Sequence, residues 1–390
     1  MSRKLFSLND DLRRLREDGY SVHEQSNLLL MRGIPYVNRE KRVCIGTLIS
    51  PLDLAGNITR KPESHVVQFD GDFPCDVNGV KLAIGSEGQR HEVAPGIYAQ
   101  HSFSQKPEGG YSDYYEKMTI YAAMLTAPAR VLDPAIKPRQ YAGRETEDPE
   151  SIFEYMDTAS GRAGTGILAE RLAADSLAII GLGGTGSYIL DLTAKTPVKE
   201  IRLFDGDEFL NHNAFRAPGA PSLDELREAP KKVDHFKAIY SRMHRGITAH
   251  PVKLGSHNLH LLDGVTFAFI SMDDGPEKLA VIEKLEALGA FFIDVGMGLT
   301  LEDQSLGGIL RLTVSTPDRR DVVRKKLSFA SKEDDGLYDS NIQIADLNCF
   351  NATLAVIRWK RLRSFYRDLE RELHATYTTD CNLLLGGEPA

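Results

Sequence analysis

One short segment constrains this chain more than any other: the apolar run Leu177-Ala178-Ile179-Ile180 leads directly into Gly181-Leu182-Gly183-Gly184-Thr185-Gly186. A continuous apolar run bounded by glycine reads as a strand buried on both faces, as in a parallel sheet. The residues after the turn, Ser187 to Ala194, read as a helix. A strand that ends in Gly-x-Gly-x-x-Gly and opens a helix lets the backbone approach phosphate closely, with the helix N-terminus supplying N–H donors and a positive dipole. Gly181, Gly183 and Gly186 hold the required positions, and Gly184 lies among them. A carboxylate about 20 residues further on can accept from ribose hydroxyls, and Asp205 lies 19 residues after Gly186. The bland alternative is a tight turn with close helix packing and no ligand. A nucleotide suits the strand–turn–helix setting better.

The alternation continues. Ile201-Arg202-Leu203-Phe204 is the next strand, Phe236 to Met243 a helix, Val265 to Ile270 a strand, Lys278 to Leu288 a helix and Phe291 to Asp294 another strand. Such alternation predicts an α/β fold, a doubly wound, Rossmann-like, mostly parallel sheet. Gly307 to Val314 is expected to begin a late antiparallel portion, and Ile344 to His374 to form one or two helices. The last stretch places Leu362, Phe365, Tyr366, Leu369 and Leu373 on one helical face. At 390 residues the chain is long enough for two folded units. Residues 1–150, with strands expected at Arg42 to Ile49 and His65 to Phe69, read as a smaller α+β accessory domain that precedes the nucleotide-binding domain at 160–390. The polar stretch from Gln140 to Gly166 is the expected linker, with the second unit starting near Arg162.

The glycine turn alone would suit NAD chemistry equally well; the residues downstream decide otherwise. Phe204-Asp205-Gly206-Asp207-Glu208-Phe209 is followed by Asn211-His212-Asn213-Ala214-Phe215-Arg216. With Lys232 and Asp273-Asp274 further on, this order resembles the ThiF/MoeB/ubiquitin-activating family, whose pattern is Asp-x-Asp-x-Val, a short gap, then Asn-x-x-Arg. The resemblance covers residues 162–360 and leaves the first 150 aside. It implies ATP- and Mg2+-dependent adenylation of a C-terminal carboxylate on a ubiquitin-like or sulfur-carrier protein ending in Gly-Gly. It also implies a homodimer, and the fused first domain hints at a bacterial ubiquitin-like conjugation system, of the defence kind, with a conjugating enzyme as a further partner.

Adenylation brings two anions together, so cations and magnesium are required. Arg216 offers a fork for phosphate oxygens and Lys232 a point charge at a predicted helix start, with Lys231 beside it as the competing register. The resemblance assigns these two to the triphosphate and Asp273, after the strand Phe267 to Ile270, to Mg2+. Asp273 can equally cap the helix that follows, and Asp274 replaces the family's usual Asn. Asp207 and Asn213 are placed near the nucleotide by resemblance, with turn capping as their rival. Arg162 lies where relatives reach an arginine into a partner subunit's site.

Ubiquitin-activating relatives carry a thioester cysteine in a loop after the late strand. The corresponding stretch, Thr313 to Ser340, has none. Cys381 and Cys349 are the remaining thiols for that role, with Cys349 expected to be buried in a helix; Cys75 is a weaker third. The four cysteines form no Cys-x-x-Cys pair, so no structural zinc is expected. A net charge of −8 gives no general pull toward nucleic acid. With no long apolar run, neither secretion nor membrane insertion is expected, and a reducing cytoplasm suits the cysteine usage. Two other readings remain: an NAD- or FAD-linked oxidoreductase, which has no use for Arg216, Lys232 and Asp273, and a non-catalytic scaffold of the same fold that binds a ubiquitin-like partner.

Overall fold

A computed structural model describes residues 5–6, 8–139, 151–155, 157, 159–160, 165–273, 275–327 and 342–387. The chain forms two compact units, Met1–Arg144 with Met156–Ile167, and Glu145–Tyr155 with Leu168–Ala390.

In the first unit helix α1 (Asp10–Glu17) precedes strands β1 (Ser21–Gln25), β2 (Leu28–Val37) and β3 (Val43–Pro51). A two-stranded ribbon, β4 (Leu54–Ala55) and β5 (Ile58–Thr59), is followed by β6 (Val66–Asp70), β7 (Gly85–Ala94) and β8 (Ile97–Ser104). The six longer strands make an antiparallel sheet in the order β1-β2-β3-β6-β8-β7. Helix α2 (Tyr114–Leu132) starts where the Asp113 side chain accepts from the Glu116 N–H at 2.7 Å, an N-cap that fixes its first turn. It shares one apolar core with the sheet: Tyr114, Met118, Tyr121 and Leu125 cluster with Leu29, Met31, Ile34 and Phe69.

The second unit is built on β9 (Ser176–Ile180), α3 (Gly184–Thr193), β10 (Glu200–Phe204), the short α4 (Asn211–Ala214), α5 (Lys232–Tyr240), β11 (Ile247–His250), β12 (Phe267–Ile270) and α6 (Pro276–Ala287). Strand β13 (Phe291–Glu302), β14 (Ser305–Ser315), α7 (Ala345–Leu362), β15 (His374–Thr378) and β16 (Leu383–Gly386) complete it. Its sheet runs β11-β10-β9-β12-β13-β14-β15-β16. The first five strands are parallel and the last three antiparallel. This is the doubly wound α/β sheet with a late antiparallel portion that the alternation implied. The direction of winding reverses at β9, whose neighbours β10 and β12 continue to opposite sides. In such sheets the crevice at the C-terminal ends of the strands flanking the reversal is the ligand position.

Three expectations need correction. The helix expected to extend toward His374 ends at Leu362; Ser364 and Arg371 adopt positive φ (56° and 50°), which breaks the helical path. Leu369, expected on the apolar face, is 88% exposed. Strand β13 is far longer than Phe291 to Asp294, because Asp303 and Gln304 (φ 46° and 62°) turn it into a hairpin with β14. Among the described residues no helix is long and apolar enough to cross a membrane.

Candidate nucleotide-binding site

The glycine turn lies at the crevice, and three of its four glycines are demanded by packing. Gly181 has φ +88°, and a Cβ there would sit 2.5 Å from the Ser271 carbonyl oxygen, so the ends of β9 and β12 are in contact. A Cβ on Gly186 would lie 1.9 Å from the Gly181 carbonyl oxygen, and one on Gly184 would lie 1.9 Å from Asn348 Nδ2. Gly183 is different: the nearest atom to its missing Cβ is Gln343 Oε1, at 3.9 Å. The chain is therefore packed tightly behind the turn and more open above it. Gly183 is the N-cap of α3 and has no side chain to satisfy the orphan N–H groups. One of them, that of Gly184, donates to Gln343 Oε1 at 3.3 Å.

Beside the turn lies a four-membered charge cluster. Asp205 Oδ2 accepts from the Leu182 N–H at 2.7 Å and Oδ1 from the Asp207 N–H at 2.8 Å, so this carboxylate organises two backbone turns at once. Lys232 Nζ donates to Asp207 Oδ2 at 2.9 Å and lies 3.6 Å from Asp205 Oδ2. Both Lys232 and Asp205 side chains are buried, each 8% exposed. Lys253, on the segment after β11, reaches Asp207 Oδ1 at 3.1 Å. The hydrogen bond from Lys232, joined by that from Lys253, holds the Asp207 carboxyl below the ordinary carboxylate range, and the bond to Asp207 raises Lys253. Lys231 points elsewhere, donating to the Gly206 carbonyl at 3.0 Å. Of the two competing lysines, then, Lys232 is the one facing the acidic pair.

Arg216 is tied to the turn through its backbone. Its carbonyl accepts from Asn348 Nδ2 at 3.3 Å, and Asn348 Oδ1 accepts from Thr185 Oγ1 at 3.1 Å. Asn348, fully buried on α7, thus ties the Arg216 backbone to the first turn of α3. Among the described residues the guanidinium itself has no such tie: Nε is buried without a partner, and burial pushes the group's pKa below its ordinary value. Asn213 caps α4, its Oδ1 accepting from the Leu210 N–H at 2.9 Å while Nδ2 is buried and unpartnered. A cation held partly out of water without an anion is costly, so these groups are poised for an anionic ligand.

Asp273 is exposed just beyond β12, and its field helps raise Lys253, so it belongs to the same mouth. Asp274, Arg162 and residues 328–341, which include the later part of the stretch Thr313 to Ser340 where relatives carry the thioester cysteine, lie outside the described residues. Cys349 is half-buried on α7, less enclosed than expected, and Cys381 is exposed in the turn between β15 and β16. Cys75 is buried in the first unit. Among the described residues no group of three His, Cys, Asp or Glu is placed to hold a metal by itself.

Sequence reasoning missed Lys253, Gln343 and Asn348. Lys253 follows a strand too short to stand out, and Asn348 meets Thr185 across 163 residues of chain, with no local pattern to announce it.

The second unit is thus a Rossmann-like α/β domain with an anion-ready crevice at its winding reversal. Comparison with known proteins adds the following. A family described as a domain of unknown function (DUF6791) matches residues 10–158. No curated protein matches. Solved structures similar to the chain include selenomethionine PaaA, at 16% identity and TM-score 0.44 over 57% of this chain and 75% of that one. Escherichia coli MccB with ATP is 15% identical, with TM-score 0.44 over 60% and 70%. The microcin C7 biosynthetic enzyme MccB in complex with N-formylated MccA is 16% identical, with TM-score 0.46 over 60% and 70%.

Proposed function

We propose that the chain adenylates the C-terminal carboxylate of a ubiquitin-like or sulfur-carrier protein ending in Gly-Gly, consuming ATP. The observation that carries this reading is Arg216, whose backbone is tied through Asn348 to the first turn of α3 and whose partly buried guanidinium has no hydrogen-bond partner at Nε among the described residues. A dinucleotide-dependent hydride transfer needs no cluster equivalent to Arg216, Lys232 and Asp273. In the reaction the carboxylate oxygen attacks the α-phosphorus, a new acyl–phosphate bond forms, and the bond to the leaving pyrophosphate breaks. The Gly183–Gly184 backbone and Arg216 take phosphate oxygens, and their fixed donors favour the charge that develops as pyrophosphate departs. Lys232 supplies a second cation by exchanging its Asp207 contact for a phosphate oxygen, with Lys253 retaining Asp207. Asp205 and Asp207 orient the ribose.

Magnesium usually takes one or two carboxylates together with phosphate oxygens. Asp273, an exposed carboxylate at the mouth just beyond β12, fits that donor set. Mg2+ held there would neutralise phosphate charge. For transfer onward to a thiol, Cys381 is exposed and Cys349 half-buried. In this reading the first unit recognises the carrier or a conjugating enzyme, and the protein works as a cytoplasmic homodimer in a bacterial ubiquitin-like conjugation system of the defence kind.

The test is ATP–pyrophosphate exchange with candidate Gly-Gly-terminated carriers, by the wild-type chain and Asp273→Ala. Carrier-dependent exchange that Asp273→Ala abolishes supports the enzyme. Carrier binding that survives in both proteins without any exchange would instead make the chain a scaffold.

A further inference from the structure

The glycine turn is capped from outside by a residue that neither the spacing nor the charge cluster required. Gln343 lies immediately before α7 and places Oε1 3.3 Å from the Gly184 nitrogen and 3.9 Å from the position of a Gly183 Cβ. Its orientation follows from chemistry: Gly184 offers an N–H, so the amide must present its oxygen there. The contact occupies the open side of the turn, where packing leaves space, and not the crowded side filled by Ser271 and Asn348. Position 343 is also held in register with the turn, because Asn348, a little over one helical turn further on, is bonded to Thr185 and to the Arg216 carbonyl.

We propose that Gln343 is a phosphate-positioning residue of the nucleotide site that switches hydrogen-bond role on binding. This rests on the nucleotide reading above and assigns a regulating residue to the same site. In the empty site the carboxamide oxygen satisfies the orphan Gly184 donor, which a helix start otherwise leaves to water. A phosphate oxygen arriving at Gly184 N–H competes for that donor. The carboxamide then turns and offers its NH2 group to the same phosphate. A neutral amide is the one common side chain of this length that can accept in one state and donate in the other. Glutamate, almost identical in shape, can only accept when ionised and therefore opposes phosphate; methionine can do neither.

The experiment measures ATP and adenosine affinities by calorimetry on the full-length chain for wild type, Gln343→Glu and Gln343→Met, at pH 8 and near pH 5. Expected is a loss of ATP affinity in Gln343→Glu at pH 8 of roughly 10- to 150-fold, the range for a hydrogen bond to a charged group. Gln343→Met should lose less, and adenosine, which lacks phosphate, should bind all three proteins alike. As pH falls toward the glutamate range, the ratio of Gln343→Glu to wild type should narrow, because a protonated carboxyl can again donate. A merely structural role would move adenosine together with ATP and would show no such pH dependence. Equal ATP affinity in Gln343→Glu and wild type overturns the assignment and leaves the nucleotide site standing. Absence of ATP binding by wild type overturns both.

Discussion

Arg216→Met should move stability and nucleotide affinity in opposite directions. The Arg216 guanidinium is partly buried, Nε lacks a hydrogen-bond partner among the described residues, and the group's pKa is lowered by burial. An unsatisfied buried polar atom costs about 1–3 kcal/mol, and partial exposure of this side chain puts the gain from removing it near the low end. Methionine keeps much of the apolar stem and adds no polar group, so unfolding of the second unit should shift up by roughly 2–4 °C for each kcal/mol recovered. With ATP the sign reverses. Loss of a hydrogen bond to a charged phosphate costs about 1.5–3 kcal/mol, or roughly 10- to 150-fold in dissociation constant. Thermal melts over a series of ATP concentrations read both effects, because bound ligand at free concentration L stabilises by RT ln(1 + L/Kd), which keeps rising with concentration. Wild type should melt lower when empty and cross above the variant as ATP rises. If the empty variant melts well below wild type while its ATP-dependent shift is unchanged, Arg216 is a structural residue and the anion-ready crevice is misassigned.

Lys232→Met should be strongly destabilising, since it strips the cation from two carboxylates. Removing one partner of a buried pair costs about 3–5 kcal/mol, and the lower end applies because Asp207 is half exposed and keeps Lys253; the urea midpoint reads it. In the first unit Lys117 is 1% exposed, donates to Ser50 Oγ at 2.9 Å and the Ser64 carbonyl at 2.7 Å, and burial pushes its pKa down to about 8. Between about 8 and the unfolded value near 10.4 the unfolded chain binds the extra proton, so stability from this group should rise with pH across that window. Lys117→Met should flatten the rise in denaturant titrations, and an unchanged profile would remove Lys117 as its cause.

How much of this was legible beforehand follows from the range of the interactions involved. The glycine turn and β9 could be read because their sequence signal is local: four consecutive apolar residues, then glycines at fixed spacing before a helix. Asp205 was found by spacing, yet in this structure its carboxylate holds the turn itself through the Leu182 N–H. The β13–β14 hairpin escaped because Asp303-Gln304 adopts positive φ without glycine, so nothing in the pattern marked a turn. The end of α7 at Leu362 escaped because a basic, aromatic stretch looked helical as far as His374, and only the left-handed residues Ser364 and Arg371 end that path. Asn348 and Gln343 were invisible for a different reason. They reach the turn from a helix late in the chain, and contacts of that separation leave no periodic trace.

The central claim is that a nucleotide's phosphates occupy the crevice between the Gly183–Gly184 backbone and Arg216. The most direct measurement is a crystal structure of the full-length chain with Mg2+ and a non-hydrolysable ATP analogue. The expected density places phosphate oxygens within hydrogen-bond distance of the Gly184 N–H and the Arg216 guanidinium, with the ribose toward Asp207 and the metal beside Asp273. An analogue bound elsewhere, or a crevice still closed by Gln343 at saturating analogue, would contradict it.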